Sequence, residues 1–427
     1  MATFVLIWFG QLISTIGSGL TGFALGIWVY QSAGSVMQFS LIYFFAELPG
    51  ILIAPLAGAI ADRYDRRKIM LLSNVSGGIC TVLIAGLLVA GWLSLWKIYC
   101  ILIVSSIARG FQKPAYYAIP SSLLNKQKFG HAGGMVQLAQ ASGQLFSPIL
   151  AGLLVPIIQI PGILLIDIIS FIVAFVTLLL SQVPHTKTVF NGMTRTPLLQ
   201  EIQYGWMYIA KRSGLLVMMA FFAVINFNIG LTQVLITPMV LNFANTQILG
   251  VILSIGGSGW LLGSLIMSVW GGTKSRMLLI LSSEMILGLG ILIMGLRPDP
   301  VLIAVANFVS FFSLSLILAS TQAIWQSKIP LDVQARVLAI RSMAAWIPFP
   351  LAYLAAGVLA EKVYEPLLSP NGLLSSSVGL VIGVGPGRGI GLLFVTAGLL
   401  IMGVTAFAFQ YVPLRYVEKN LPDMFIE

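Results

Sequence analysis

Residues 58–68 read GAIADRYDRRK, from Gly58 to Lys68, and lie between two long apolar runs. Asp62, Arg63, Asp65, Arg66, Arg67 and Lys68 fall within this one short connector, in a chain of which only 8% is charged. Charge that dense between hydrophobic segments belongs in water, at one face of a membrane. The alternation of Asp and Arg points to a hinge between helices at which charges exchange partners, rather than to a generic solvated loop.

The rest of the chain supports a membrane reading. Of its 427 residues, 58% are hydrophobic, and the mean hydropathy is +0.98. A soluble domain carries about 25% charged residues. Many apolar runs approach or exceed the roughly 20 residues that cross a bilayer. Twelve spans are expected, near 4–30, 36–60, 69–91, 97–122, 132–156, 160–183, 214–241, 246–271, 277–296, 300–326, 337–360 and 386–411. Turn residues mark several of the breaks, among them Ser32–Ser35, Pro156–Gly162, Arg297–Pro300 and Pro366–Gly372. The first run begins at Phe4 without a basic lead and reads as a retained span, not a cleaved leader.

The formal charge of +10 does not indicate nucleic acid, because the basic residues sit in connectors and form no stripe with interleaved aromatics. If the first span runs outward from the cytoplasm, inside connectors hold Arg63, Arg66, Arg67, Lys68, Lys113, Lys126, Lys128, Lys187, Arg195, Lys211, Arg212, Lys274, Arg276, Lys328, Arg336, Arg341, Arg415 and Lys419. Outside connectors hold only Lys97, Arg297, Lys362 and Arg388. This bias follows the positive-inside rule and predicts that both termini are cytoplasmic, in the plasma (inner) membrane. Cys80 and Cys100 lack metal-site spacing and read as small apolar residues. With only His131 and His185 as further soft ligands, no metal centre is expected. No cofactor is expected either: GVGPGRG at 383–389 lacks both the preceding strand and the GK[ST] of a phosphate loop, and reads as a turn into the last span.

The longest inside connector divides the chain into an N-terminal bundle of six spans (1–183), a central connector (184–213) and a C-terminal bundle of six (214–427). The second part of that connector, TPLLQEIQYGWMYIAKR, is amphipathic and suits a membrane surface. The halves echo each other: GGTKSRMLL follows the eighth span as GAIADRYDRRKIM follows the second. Duplicated halves are typical of transporters.

On these residues the chain resembles the major facilitator superfamily. Gly58, Asp62, Arg63, Arg66, Arg67 and Lys68 match its loop 2–3 motif G-x-x-x-D-R-x-x-R-[RK], with Asp65 where the family often has Gly. Arg109 and Gln112 resemble the fourth-span R-x-x-Q, although Lys113 replaces the usual Gly. Gly143, Pro148 and Gly152 match the antiporter motif G-x-x-x-G-P-x-x-G-G, with Ser147 and Ala151 as small replacements. That motif is associated with exporters and points the direction outward. The segment ELPGILIAPLAGAIADR, the segment GVGPGRGIGLLF near the last span and the lone Asp167 together resemble the macrolide-efflux and enterobactin-exporter branch. The resemblance implies an all-α fold of two pseudo-symmetric six-helix bundles. It also implies that the loop 2–3 charges gate alternating access, by contacts made in one state and broken in the other.

Within the spans, each charge needs an account. Glu47, in FFAELPG, should be protonated, paired or facing an aqueous cavity, which suits a proton carrier. Pro49 is placed to open the backbone beside it. Arg109 lies mid-span and is expected near substrate, near a protonatable acid or in a fixed interhelical anchor. Asp167 and Glu284 are expected to be structurally paired. A cavity lined by spans one, four, seven and ten would present Gln11, Arg109, Gln112, Asn226, Asn228, Gln233 and Gln322 among apolar side chains. Such a lining suits a bulky amphipathic molecule. The expected activity is secondary efflux of a drug-like, macrolide-like or siderophore-like compound against inflowing protons, by a monomer and without enzymatic chemistry. A lysolipid flippase or an importer on the same fold is the alternative.

Overall fold

The computed structural model describes residues 1–124, 129–181, 198–273, 275–415 and Glu418. Lys126, Lys128, His185, Lys187, Arg195, Lys274 and Lys419 lie outside these residues, as do the side chains of Asp62, Arg63 and Arg336. Among the described residues there is no strand. The helices are α1 (Ala2–Ala33), α2 (Val36–Arg63), α3 (Arg66–Val89), α4 (Leu95–Leu123), α5 (Phe129–Leu180) and α6 (Leu198–Ala210). They continue as α7 (Ser213–Leu241), α8 (Thr246–Trp270), α9 (Arg276–Leu296), α10 (Pro300–Lys328), α11 (Leu331–Trp346) and α12 (Pro348–Leu359). A π-helical turn (Ala360–Tyr364) leads to the short α13 (Glu365–Leu367) and α14 (Gly379–Ile382), then to α15 (Arg388–Gln410) and α16 (Val412–Arg415).

Among the described residues, ten helical stretches are long and apolar enough to cross a bilayer. One of them, α5, is two helices joined at Gln159, whose φ of 55° and ψ of −174° break the helical path. The turn expected at Pro156–Gly162 is thus a joint of one residue. α4 is less apolar because it carries Lys97, Arg109 and Lys113, yet its 29 residues reach about 44 Å, more than the bilayer core. Counting α5 twice and adding α4 gives the twelve spans.

The surface is apolar and much of the polar content is inside. Leu72, Ile79, Leu265, Val269, Leu399 and Phe407 are all more than half exposed, whereas Asn74, Asp167, Glu284 and Ser320 are at most 1% exposed. In water that distribution would be unstable; in lipid, it is what the solvent demands. This is an integral membrane protein.

The chain forms two compact units, Met1–Asn191 with Ala244–Ser254, and Gly192–Phe243 with Ile255–Glu427. In the first, α1 packs along α5, α2 against α4, and α3 against both α4 and α5. Small residues permit the close approaches. A Cβ on Gly50 would lie 2.9 Å from the Ser106 carbonyl, and one on Gly152 would lie 3.2 Å from Gly250 Cα. In the second unit, α9 packs against α10 and α15, and α7 against α12 and α15.

Helix ends are held by charge as well as by packing. Glu418 accepts from the amides of Arg276 and Met277 at 3.2 and 2.8 Å, placing a carboxylate at the N-terminus of α9. At the other end of α9, Arg388 donates to the carbonyls of Gly295 and Leu296 at 3.0 and 3.1 Å. Arg388 is thus the buried first residue of α15, not a connector charge. GVGPGRG is the turn that delivers it. Its Gly383, Gly385 and Gly387 all have positive φ, and a Cβ on Gly387 would sit 2.8 Å from Asn242 Nδ2. Pro348 separates α11 from α12, at a first helical position where its missing N–H costs nothing.

Candidate functional site

The loop 2–3 connector resolves into helix caps. Asp65 is the N-cap of α3 and accepts from the Arg67 amide at 2.9 Å, which explains an acid where the superfamily often has Gly. Arg66 donates to the Ala118 carbonyl at 2.8 Å. Arg67 donates to the Leu178 and Leu179 carbonyls at 3.1 and 2.6 Å. Arg67 therefore closes the C-terminal end of α5, where a cation also complements the helix dipole, while Arg66 ties α3 to the second-last turn of α4. Arg67→Ala should cost about 1 kcal/mol and lower Tm by roughly 2–4 °C, read as thermal unfolding of purified protein in detergent.

Mid-membrane, the first unit carries two exposed charges on facing helices, Glu47 on α2 and Arg109 on α4. Arg109 donates to the Ala46 carbonyl at 3.0 Å and to Ser105 Oγ at 3.3 Å. The Gly50 amide donates to Ser106 Oγ at 2.9 Å. Between those two contacts lies Pro49, which has no N–H to give. The expected opening of α2 at Pro49 is therefore bridged by α4, and Arg109 is held against the residue that precedes Glu47.

One turn further along α4, Gln112 donates to Gln11 Oε1 at 2.9 Å and to Asn74 Oδ1 at 2.8 Å. Three amides from α1, α3 and α4 converge, two of them almost wholly buried. Gln11 Nε2 and Asn74 Nδ2 have no partner among the described residues. Asn74 escapes the sequence reading because a single Asn in an apolar run carries no signature of its partner.

Of the antiporter-like residues, Gly143 meets Thr15 of α1, while Pro148 and Gly152 meet the start of α8. Ser147, in place of a glycine, donates to the Ile16 carbonyl at 3.1 Å. Asp167 accepts from Thr21, Thr81, Ser18 and Ser170 at 2.9 to 3.3 Å. It is paired as expected, with hydroxyls and not with a cation.

The second unit has its own polar centre. A cavity of about 50 Å³ is lined by Asn226, Glu284, Thr321, Trp325 and Arg341 together with apolar side chains. Asn226 donates to the Ala345 carbonyl at 3.0 Å, and Gln322 accepts from Arg341. Asn228 turns back to the Val224 carbonyl of its own helix, and the exposed Gln233 accepts from Tyr353 at 3.3 Å. Two expectations need correction. Glu284 is fully buried, yet neither carboxyl oxygen has a partner among the described residues. Arg341 is not a connector charge: it lies inside α11, its guanidinium 5.7 Å from the Trp325 ring.

The model of the Major Facilitator Superfamily matches residues 7–353. The chain belongs to this superfamily. Macrolide efflux protein A of Streptococcus pyogenes is 25% identical over 370 residues, covering 84% of this chain and 90% of that protein. Enterobactin exporter EntS of Shigella flexneri is 27% identical over 157 residues, covering 35% of this chain and 37% of its own. The solved structure of the nucleoside transporter NupG (D323A mutant) superposes with a TM-score of 0.75 over 95% of this chain and 99% of that one, at 12% identity. The shared fold is that of a superfamily transporter, and the branch resemblance read from the motifs points to the same relatives.

Proposed function

We propose that this superfamily member is a secondary exporter in the plasma membrane. It moves a hydrophobic or amphipathic small molecule outward by alternating access while protons flow in. The observation that carries the reading is the pair of exposed charges, Glu47 and Arg109, on facing helices in the middle of the spans. Charges at that depth require water or a polar guest, so this face of the first unit borders an aqueous path and not lipid. The amide cluster of Gln11, Asn74 and Gln112 offers unpaired hydrogen-bond donors to a polar edge of the guest, and mostly apolar walls suit the rest of it. The efflux relatives support the outward direction. Asp62, Arg63, Arg66, Arg67 and Lys68 carry the gating, with both termini in the cytoplasm and a monomer as the working unit.

Everted membrane vesicles with an imposed pH gradient test this. Radiolabelled erythromycin, a catechol siderophore and a fluorescent lysolipid serve as probes. Gradient-dependent uptake of either of the first two supports the reading. Movement of lysolipid alone, or none of any probe, sinks it. Glu47→Gln should reduce gradient-driven accumulation to background and spare downhill exchange; undiminished accumulation would remove Glu47 from proton coupling.

A further inference from the structure

The centre of the second unit holds a carboxyl set apart from the Glu47–Arg109 pair of the first. Glu284 is 0% exposed and accepts no hydrogen bond among the described residues. Around the same cavity, Thr321 Oγ1 and Trp325 Nε1 are also buried without partners. Four helices supply the polar lining: Asn226 from α7, Glu284 from α9, Thr321 and Trp325 from α10, and Arg341 from α11. A volume of about 50 Å³ is room for a water or two.

A bare carboxylate in such a place is strongly disfavoured, and a neutral carboxylic acid is not. Three unused hydrogen-bonding groups and a guanidinium beside one cavity form a site that can accommodate both forms of one acid. We propose that Glu284 is a proton-binding site of the second unit, with Arg341 as its alternate partner. In the arrangement seen here Arg341 donates to Gln322 and lies over Trp325, leaving Glu284 to hold its proton. On release the proton passes from the carboxyl oxygen to cavity water as hydronium. The carboxylate then draws the Arg341 guanidinium from Gln322, and rebinding from hydronium reverses both steps. Exchange of partner on a helix pair is a two-state element that protonation can bias.

Few other charges bear on it. α7, α8 and α15 carry no titratable side chain apart from Arg388, at the start of α15. From α15 the buried atoms without partners are Thr405 Oγ1, which does not titrate, and Nε of Arg388, whose guanidinium is engaged at the end of α9. Arg276 and Lys328 sit at the ends of α9 and α10 beside Glu418. Among the described residues Arg341 is thus the one charge lining the cavity with Glu284; the side chains of Asp332 and Arg336 on α11 lie outside them.

This inference deepens the proton-coupled reading, but its test does not require transport. Infrared pH-difference spectra of the purified protein in lipid nanodiscs report carboxylic-acid C=O bands directly. Wild type should show a titrating band that E284Q loses. R341Q should move its midpoint to higher pH, whereas R341K, which keeps the charge, should leave it near wild type. The Arg341 pair keeps Glu284 intact, so the test stands even if E284Q folds poorly. A band present in wild type without gradient-driven flux of any probe supports the site and overturns the export reading. Spectra of E284Q and wild type that superimpose, or an R341Q midpoint equal to wild type, overturn the site.

Discussion

Asp167→Ala is expected to destabilise the first unit more than any other single substitution of a polar side chain there. The carboxyl gathers hydroxyls from Ser18 and Thr21 on α1, Thr81 on α3 and Ser170 on its own helix. Bonds between helices in a membrane contribute about 0.6 kcal/mol each, so the three that cross helices amount to roughly 2 kcal/mol. The helices also pass closely here: a Cβ on Gly17 would stand 2.7 Å from Ser170 Cβ and 3.0 Å from Asp167 Oδ1. Little relaxation is available to refill the space. A Tm lower by roughly 4–8 °C follows for a unit of this size. Asp167→Asn keeps one acceptor oxygen and should lose about half as much. Thermal unfolding in a defined detergent reads both, and equal Tm values for wild type and the Ala variant would contradict the hub.

The second large effect concerns activity. Arg109→Ala should reduce vesicle transport to background while the protein still inserts and accumulates. Its guanidinium bonds the Ala46 carbonyl in the turn before Pro49, and so ties α4 to the residue that precedes Glu47. Removing it frees that carbonyl in mid-membrane and takes away the positive charge nearest to Glu47 along α4. Arg109→Lys keeps the charge but not the planar fork that reaches both Ala46 and Ser105, so partial activity is expected. Full transport by the Ala variant would make Arg109 a scaffold alone. Transport and membrane level must be measured on the same preparations.

The spans were legible because lipid imposes length and apolarity on each separately. So was the break at Pro156–Gly162, where backbone chemistry is local. Partnerships were less legible. Asn74 joins Gln11 and Gln112 across sequence separations that no periodicity reveals. Arg341 looked topological because it stands near the start of a span, and only the fold brings its side chain to Gln322 and Trp325 of α10. Glu284 was expected to be paired because an unpaired acid in lipid is costly; packing places it instead beside a cavity. The basic residues of the 58–68 connector were readable as a motif. That one of them caps the end of α5 and another bonds a carbonyl of α4 was not, since a carbonyl acceptor has no letter in the sequence.

The joint at Gln159 has a consequence for how the chain is made. The fifth and sixth spans meet at one residue, and no charged residue lies between His131 and Asp167. Nothing in that stretch can pause in water while the next segment emerges from the ribosome. The two spans are therefore suited to leave the translocon together as a helical hairpin, and a chain cut just after Gln159 would leave the fifth span without the helix that returns beside it.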